Sequence, residues 1–310
     1  VLRYNMKAPI WAAIGKGAAQ LRINLAGVAV MAVHGILQRR LRPECLFPLP
    51  RVAEIRQNAV SFLHDNGKWL FYGPQMTEIL QDQLPPAQTV ENKLPGVGPC
   101  DPDDWLRVDE AYAAQMTYRA ELLTENREAV LWMDPAALPA AQEVLEEALD
   151  LLPGLGFERA GDEMICPDGR IVPLDHQQPL LTLGHLVQED ICILQKQGDE
   201  HVLTGAVLCF PANWRLSEKA GKPLIGIHIP VPEYTDDIAR RVQRMFDGVR
   251  AGRPLWRFNR LSYVEADLHQ PRRKAVGEVE RFDRSERQCI IRMPRTDAVI
   301  FTIHTWVVRR

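Results

Sequence analysis

The chain has 310 residues, of which 46% are hydrophobic and 25% charged, the composition of a globular protein long enough for one large domain or two ordinary ones. A formal charge of -3 and a pI near 6.3 give no overall attraction to phosphate backbones or anionic lipid, which argues against nucleic acid and membrane and leaves small molecules or proteins as partners. Six cysteines without a C-x-x-C pair argue against a zinc knuckle or disulfide framework; they read as reduced core thiols, which favours a cytoplasmic compartment.

In chain order the sequence divides at Pro and Gly punctuation into a basic tail over residues 1–51, a helical portion over 52–161 and a mixed portion over 162–310. The tail carries Arg3, Lys7, Lys16, Arg22, Arg39, Arg40 and Arg42 with no acidic residue before Glu44. Its apolar stretch, Leu25 to Leu37, is shorter than the roughly 20 residues a spanning helix needs. A targeting segment and a start assigned too far upstream, with Met6 or Met31 as the true beginning, are the alternatives for it.

In the helical portion, Ala113, Met116, Ala120 and Leu123 predict one side of a helix capped by Asp109. Val144, Leu145, Ala148, Leu149 and Leu152 predict a second, ended by Pro153 and Gly154. Beyond Cys166 the period shortens, with strand-like runs at Ile191 to Leu194, Val202 to Phe210, Trp256 to Val264, Gln288 to Met293 and Ala298 to Val308. These predict an antiparallel sheet, and the fold class is α+β. Thr235 is a cap for a further helix with Asp236 and Asp237 in its first turn, Ile238, Val242, Met245, Phe246 and Val249 on one stripe and Arg240, Arg241 and Arg244 on the other face. A solvated surface is the plain reading of those arginines, with a redox-partner docking face as the alternative.

Several chemistries are absent. Gly221-Lys222 is followed by Pro223, which has no amide to donate, so there is no phosphate-cradling G-x-x-x-x-G-K-[ST] loop. Gly154-Leu155-Gly156 follows a helix and lacks the third glycine of a dinucleotide turn. No serine sits in a G-x-S-x-G elbow, and Ser217 lacks the S-x-x-K spacing.

One histidine stands out. His228 lies before Pro230 and Pro232, which push Ile229 and Val231 toward extended backbone, so its imidazole is expected to leave a stiff frame at a fixed angle. It is a candidate metal ligand; the alternative is a packed histidine bonded to backbone or water. His185 and His269 carry the same ambiguity. Of the acidic pair before Ile191, Asp190 is expected to bond to turn amides, leaving Glu189 as the candidate catalytic carboxylate.

Taken together, NKLPGVGPCDPDDWLRVDEAYAAQMTYRAELL from Asn92, LVQEDICIL from Leu186, VLCFPANWRLSEKAGKPLIGIHIPVPEY from Val207, RVQRMFDGV from Arg241, PLWRFNRLSY from Pro254 and SERQCIIRMPRTDAVIFTIHTW from Ser285 resemble the haem-dependent oxidative N-demethylase family. The resemblance implies one continuous domain from about 48 to 308 with a PAS-like fold, an antiparallel sheet flanked by helices and extended by an N-terminal helical portion. It implies one b-type haem and the oxidative removal of a methyl group from a small secondary amine such as dimethylamine, giving formaldehyde and the primary amine and consuming oxygen and reducing equivalents.

Carried onto this chain, the resemblance makes His228, in Ile-His-x-Pro-Val-Pro, the axial ligand of the haem iron, with His185 as second choice. Trp214 and Phe210 become candidate walls of the porphyrin. Arg257, Asn259 and Arg287 become candidate partners of its propionates, because guanidinium matches carboxylate geometry; a structural salt bridge is the alternative for each arginine. With no flavin or dinucleotide fingerprint and no cysteine cluster, electrons from NAD(P)H are expected to arrive through a separate reductase. A non-catalytic haem or gas sensor on the same fold is the competing class.

Overall fold

A computed structural model describes residues 61–65, 68–72, 78–90, 96–228, 236–272 and 279–310. The chain divides into two compact units, residues 1–77 and 78–310. Within the first, β1 (Ser61–Asp65) pairs antiparallel with β2 (Lys68–Tyr72), Asp65 opposite Lys68. The Asn66-Gly67 between them is the strongest short hairpin signal a sequence carries.

The second unit is built in the order β3 (Gly98–Pro99), α1 (Tyr112–Glu125), α2 (Arg127–Val130), β4 (Leu131–Met133), α3 (Leu138–Leu151), β5 (Glu158–Ala160), β6 (Glu163–Ile165), β7 (Ile171–Pro173), α4 (Pro179–Leu186), β8 (Asp190–Gln197), β9 (Glu200–Val207), α5 (Leu224–His228), α6 (Asp236–Gly248), β10 (Leu255–Tyr263), β11 (Phe282–Arg292) and β12 (Val299–Arg309). Seven strands form one antiparallel sheet in the order β3-β10-β11-β12-β8-β9-β4, and β5-β6-β7 make a small second sheet. The expected α+β class, a large antiparallel sheet flanked by helices, is what the chain adopts. Among the described residues no helix is long and apolar enough to cross a membrane.

Side-chain alternation divides the sheet's residues between two clusters. Ile191, Ile193, Cys289, Ile291 and Ile300 pack with α1, α3 and α4. Cys192, Leu194, Ile290, Val299 and Ile303 pack with Leu224 of α5 and Phe246 of α6. The expected stripe Val144, Leu145, Ala148, Leu149 and Leu152 is buried in the first cluster. Its helix runs out through a short 3-10 turn, Leu152–Leu155, into Gly156 at φ +89°, a left-handed stop that favours glycine. Where α4 approaches α1 and β9, a Cβ on Gly184 would stand 2.9 Å from both Leu123 Cδ1 and Val207 Cγ2, so close approach explains the glycine.

The expected stripe on α1 needs correction. Met116 and Leu123 are buried, but Ala113 is exposed, and the inward face also carries Gln115 and Arg119. The helix is held by polar contacts as well as apolar ones, which a hydrophobic period does not register. Asp109 accepts from the Ala111 amide through Oδ1 at 3.0 Å and from the Tyr112 amide through its carbonyl at 3.0 Å, just ahead of the helix. The helix expected after Thr235 begins at Asp236; Thr235 itself lies outside the described residues. Five cysteines, Cys100, Cys166, Cys192, Cys209 and Cys289, are free and buried, as core thiols should be.

Candidate functional site

Strand register decides which candidate residues share a face. Arg257 lies opposite Gln288 and Asn259 opposite Glu286, while Glu286 and Gln288 lie opposite Thr305 and Ile303 on β12. Paired residues point the same way, so these six stand on one face. The same register puts Ile290 and Ile303 on that face, where they pack in the cluster that includes Leu224 of α5. Helix α5, which ends at His228, also packs Ile227 against this cluster. The His228 side chain and the backbone of Ile229 and Val231 lie outside the described residues.

Two guanidiniums and one carboxylate lie along this polar strip. Arg284, 2% exposed, donates through Nε to Glu286 Oε1 at 3.2 Å and through Nη1 to the Leu268 carbonyl at 2.8 Å. Gln288 Nε2 donates to Glu286 Oε2 at 3.4 Å. Arg257 is half-buried, and its Nε is buried without a hydrogen-bond partner. Burial pushes the Arg257 pKa down, opposed by the charge of Glu286. Thr305 Oγ1 is likewise buried and unpartnered. A buried donor costs free energy until it finds an acceptor, and one carboxylate between two guanidiniums leaves positive charge for a second anion.

The other candidates lie elsewhere. Arg287 projects to the opposite face, paired with Phe258 on one side and His304 on the other. There its Nη1 donates to Cys289 Sγ at 3.0 Å and its Nη2 to Cys100 Sγ at 3.3 Å and Asp104 Oδ2 at 2.9 Å, so its donors serve the fold. Phe210 and Trp214 fall in different clusters. Phe210 lies with Tyr118, ring centroids 5.8 Å apart, and under the Arg119 guanidinium at 5.3 Å. Trp214 packs against the α5–α6 cluster and carries the Lys219 ammonium 4.3 Å from its centroid.

His185 ends α4 and lines a cavity of about 330 Å³ with Ile171, Val172, Pro173, Asp175, Leu181 and Thr182. Burial, and then the charges of Arg170, Arg119 and Arg127, lower its pKa. The cluster that α4 packs into is the one on the far side from α5. His269 hydrogen-bonds the Cys209 carbonyl at 2.8 Å, a structural role.

Asp190 bonds turn amides as expected. Its Oδ1 accepts from the Cys209 amide at 2.7 Å and from Arg119 Nη1 at 2.7 Å, and its Oδ2 from the Phe210 amide at 2.8 Å. Glu189 belongs to a centre that the sequence did not announce. His304, 1% exposed on β12, meets Glu189 Oε1 with Nδ1 at 2.7 Å and Asp109 Oδ2 with Nε2 at 3.1 Å. Glu189 Oε1 also accepts from the Arg107 amide at 2.9 Å, while Oε2 is buried without a partner. Burial opposes charge on His304, yet Glu189 and Asp109 raise its pKa to about 9. Burial opposes Asp109 as well, but His304 holds it below the ordinary carboxylate range. The available signal was the polar His304 inside an alternating strand.

Residues 96–309, most of the chain, match the family described as haem-dependent oxidative N-demethylase, alpha subunit-like. The chain belongs to this family. That membership brings haem dependence and oxidative chemistry to the fold, and the α5-side face of the sheet suits the group. A haem has an apolar ring and two anionic propionates. The face offers Ile290, Ile303 and Trp214 for the ring, and the orphaned Arg257 Nε with an excess of guanidinium charge for a carboxylate. Among the described residues no group of three or more His, Cys, Asp or Glu is placed to hold a metal ion.

Proposed function

We propose that this N-demethylase family member is a monooxygenase that removes a methyl group from a small secondary amine such as dimethylamine, giving formaldehyde and the primary amine. Haem b, when bound, supplies the oxygen-dependent oxidising chemistry. The observation that carries the reading is the buried, partnerless Nε of Arg257 on the sheet face that α5 covers.

In this reading His228, at the end of α5, would hold the iron of a bound haem, which would supply the oxygen chemistry. Arg257, with Asn259 beside it, takes a propionate, and Trp214 contributes to the wall. Phe210, Arg287 and Glu189 support the fold, since hydrogen bonds, ring contacts or ion pairs already engage each of them. Electrons come from NAD(P)H through a separate reductase. The free buried cysteines support a cytoplasmic location.

The test is formaldehyde release from haem-loaded protein given dimethylamine, oxygen and a chemical reductant. Stoichiometric formaldehyde and methylamine are expected. Haem reduction and oxygen uptake that no methylated amine stimulates would instead assign the chain to gas sensing.

A further inference from the structure

Cys100 and Cys289 share one guanidinium. Arg287 donates to Cys289 Sγ through Nη1 at 3.0 Å and to Cys100 Sγ through Nη2 at 3.3 Å, and the two thiols hydrogen-bond one another. They come from different strands. Cys289 lies on β11 opposite Trp256 of β10, while Cys100 follows the edge strand β3 and is held by its amide to the Pro254 carbonyl at 2.9 Å. The cluster sits just beneath the surface. Cys100 is 9% exposed, and the side chain of Asp104, which accepts from Arg287 Nη2 at 2.9 Å and from Arg107, is 41% exposed.

Cys100 differs from the other described cysteines. Burial pushes the thiols of Cys192 and Cys209 up to about 12 and raises that of Cys166. The Cys100 thiol is instead lowered to about 7, chiefly by the hydrogen bond from Cys289; burial opposes this, the charge of Arg287 supports it and that of Asp104 opposes it. Cys289 moves the other way and keeps its proton, because it donates to Cys100, is buried and faces the Glu189 carboxylate, against the charge of Arg287. A thiolate beside a guanidinium, with a protonated thiol in contact, is how a peroxide-reactive cysteine and its resolving partner are arranged.

We propose that Cys100 and Cys289 are a dithiol that hydrogen peroxide oxidises to a disulfide. The Cys100 thiolate attacks one peroxide oxygen, an S–O bond forms and the O–O bond breaks. The departing hydroxide leaves as water with the proton that Cys100 gave up, so sulfur loses the two electrons that peroxide gains. The Cys289 sulfur then attacks Cys100. An S–S bond forms, the S–O bond breaks, and the hydroxide leaves as a second water with the Cys289 proton. Closing the contact to the roughly 2.05 Å of a disulfide takes a small backbone shift, and β3, two residues long at the sheet's edge, is the element placed to make it. The bond ties β3 to β11 across β10. Nothing in this chemistry depends on the haem reading.

The experiment treats the full chain with hydrogen peroxide at neutral pH, alkylates the remaining thiols in denaturant and maps the peptides by mass spectrometry. A Cys100–Cys289 linked peptide is expected, abolished by dithiothreitol, with Cys166, Cys192 and Cys209 still alkylated. In the native chain, alkylation of Cys100 should rise with pH through about 7 and run about tenfold or more faster at that pH than alkylation of Cys166. Cys289→Ser should stop at a Cys100 sulfenic acid, trapped by dimedone, and Cys100→Ser should give neither product. A wild-type Cys100 that peroxide leaves untouched, or that goes to sulfinic acid with no linked peptide, overturns the proposal, as does a different pair that links first. The wild-type map decides by itself even where a variant fails to fold.

Discussion

Glu189 and His304 meet at 2.7 Å in the interior, each side chain 1% exposed, with Asp109 completing the grip on the imidazole from its other nitrogen. The pair joins the start of β8 to β12, and Asp109 ties the approach to α1 into the same centre. The imidazole therefore acts as a charged bolt between sheet and helix. Removing its proton leaves two carboxylates facing a neutral ring.

That bolt makes stability depend on alkaline pH. A His pKa raised to about 9 in the folded state, from about 6.5 unfolded, contributes stability that is fully present below pH 6.5 and is lost as pH rises through about 9. The contribution is on the order of 3 kcal/mol. Urea denaturation at pH 6.5 and pH 9.5 should show a clear loss at the higher pH. His304→Gln should be less stable at pH 6.5 and lose less between the two. A wild type equally stable at both pH values contradicts the assignment.

Asp190 anchors Arg119, whose side chain is fully buried, and two amides of the chain leaving β9. Asp190→Ala strands that guanidinium without its counter-charge, and the expected destabilisation is about 3–5 kcal/mol. Denaturant midpoints measure it. A loss under 1 kcal/mol would mean that the carbonyls of Gly184, Gln188 and Glu189, which Arg119 also reaches, suffice to hold it.

Arg257 should matter to haem and little to the fold. Arg257→Ala removes an unpartnered buried donor, so the melting temperature of the haem-free chain should hold or rise. Loss of a charge-assisted bond to a propionate should weaken haem binding by about tenfold or more, read by haem titration. Arg287→Ala should give the reverse pattern, since its partners are Asp104 and two thiols. Equal haem affinity in Arg257→Ala and wild type would remove Arg257 from the site.

Much of this layout is legible in the sequence, and the misses share a cause. Apolar alternation announces β8, β9 and β12, and the spacing from Val144 to Leu152 announces α3, because burial there is apolar. β11 begins at Phe282, six residues before the predicted Gln288, because Arg284, Glu286 and Arg287 read as loop while in the fold they are buried and paired with one another or with Asp104. Ala113 was drawn inward by a hydrophobic period that does not count Gln115 and Arg119. The strands of the small sheet, three residues each, are too short for alternation to register. The family resemblance put Arg257, Asn259 and Arg287 forward together, and that Arg287 points away from the other two follows only from strand register.

If His228 holds haem iron on the α5-covered face, the absorption spectrum of haem-reconstituted protein reports it. Wild type should bind one haem per chain with a sharp Soret band, and His228→Ala should lose the band or shift it to that of weakly held haem, while His185→Ala keeps the wild-type spectrum. An unchanged Soret band and full occupancy in His228→Ala, or loss of both in His185→Ala alone, would contradict the account.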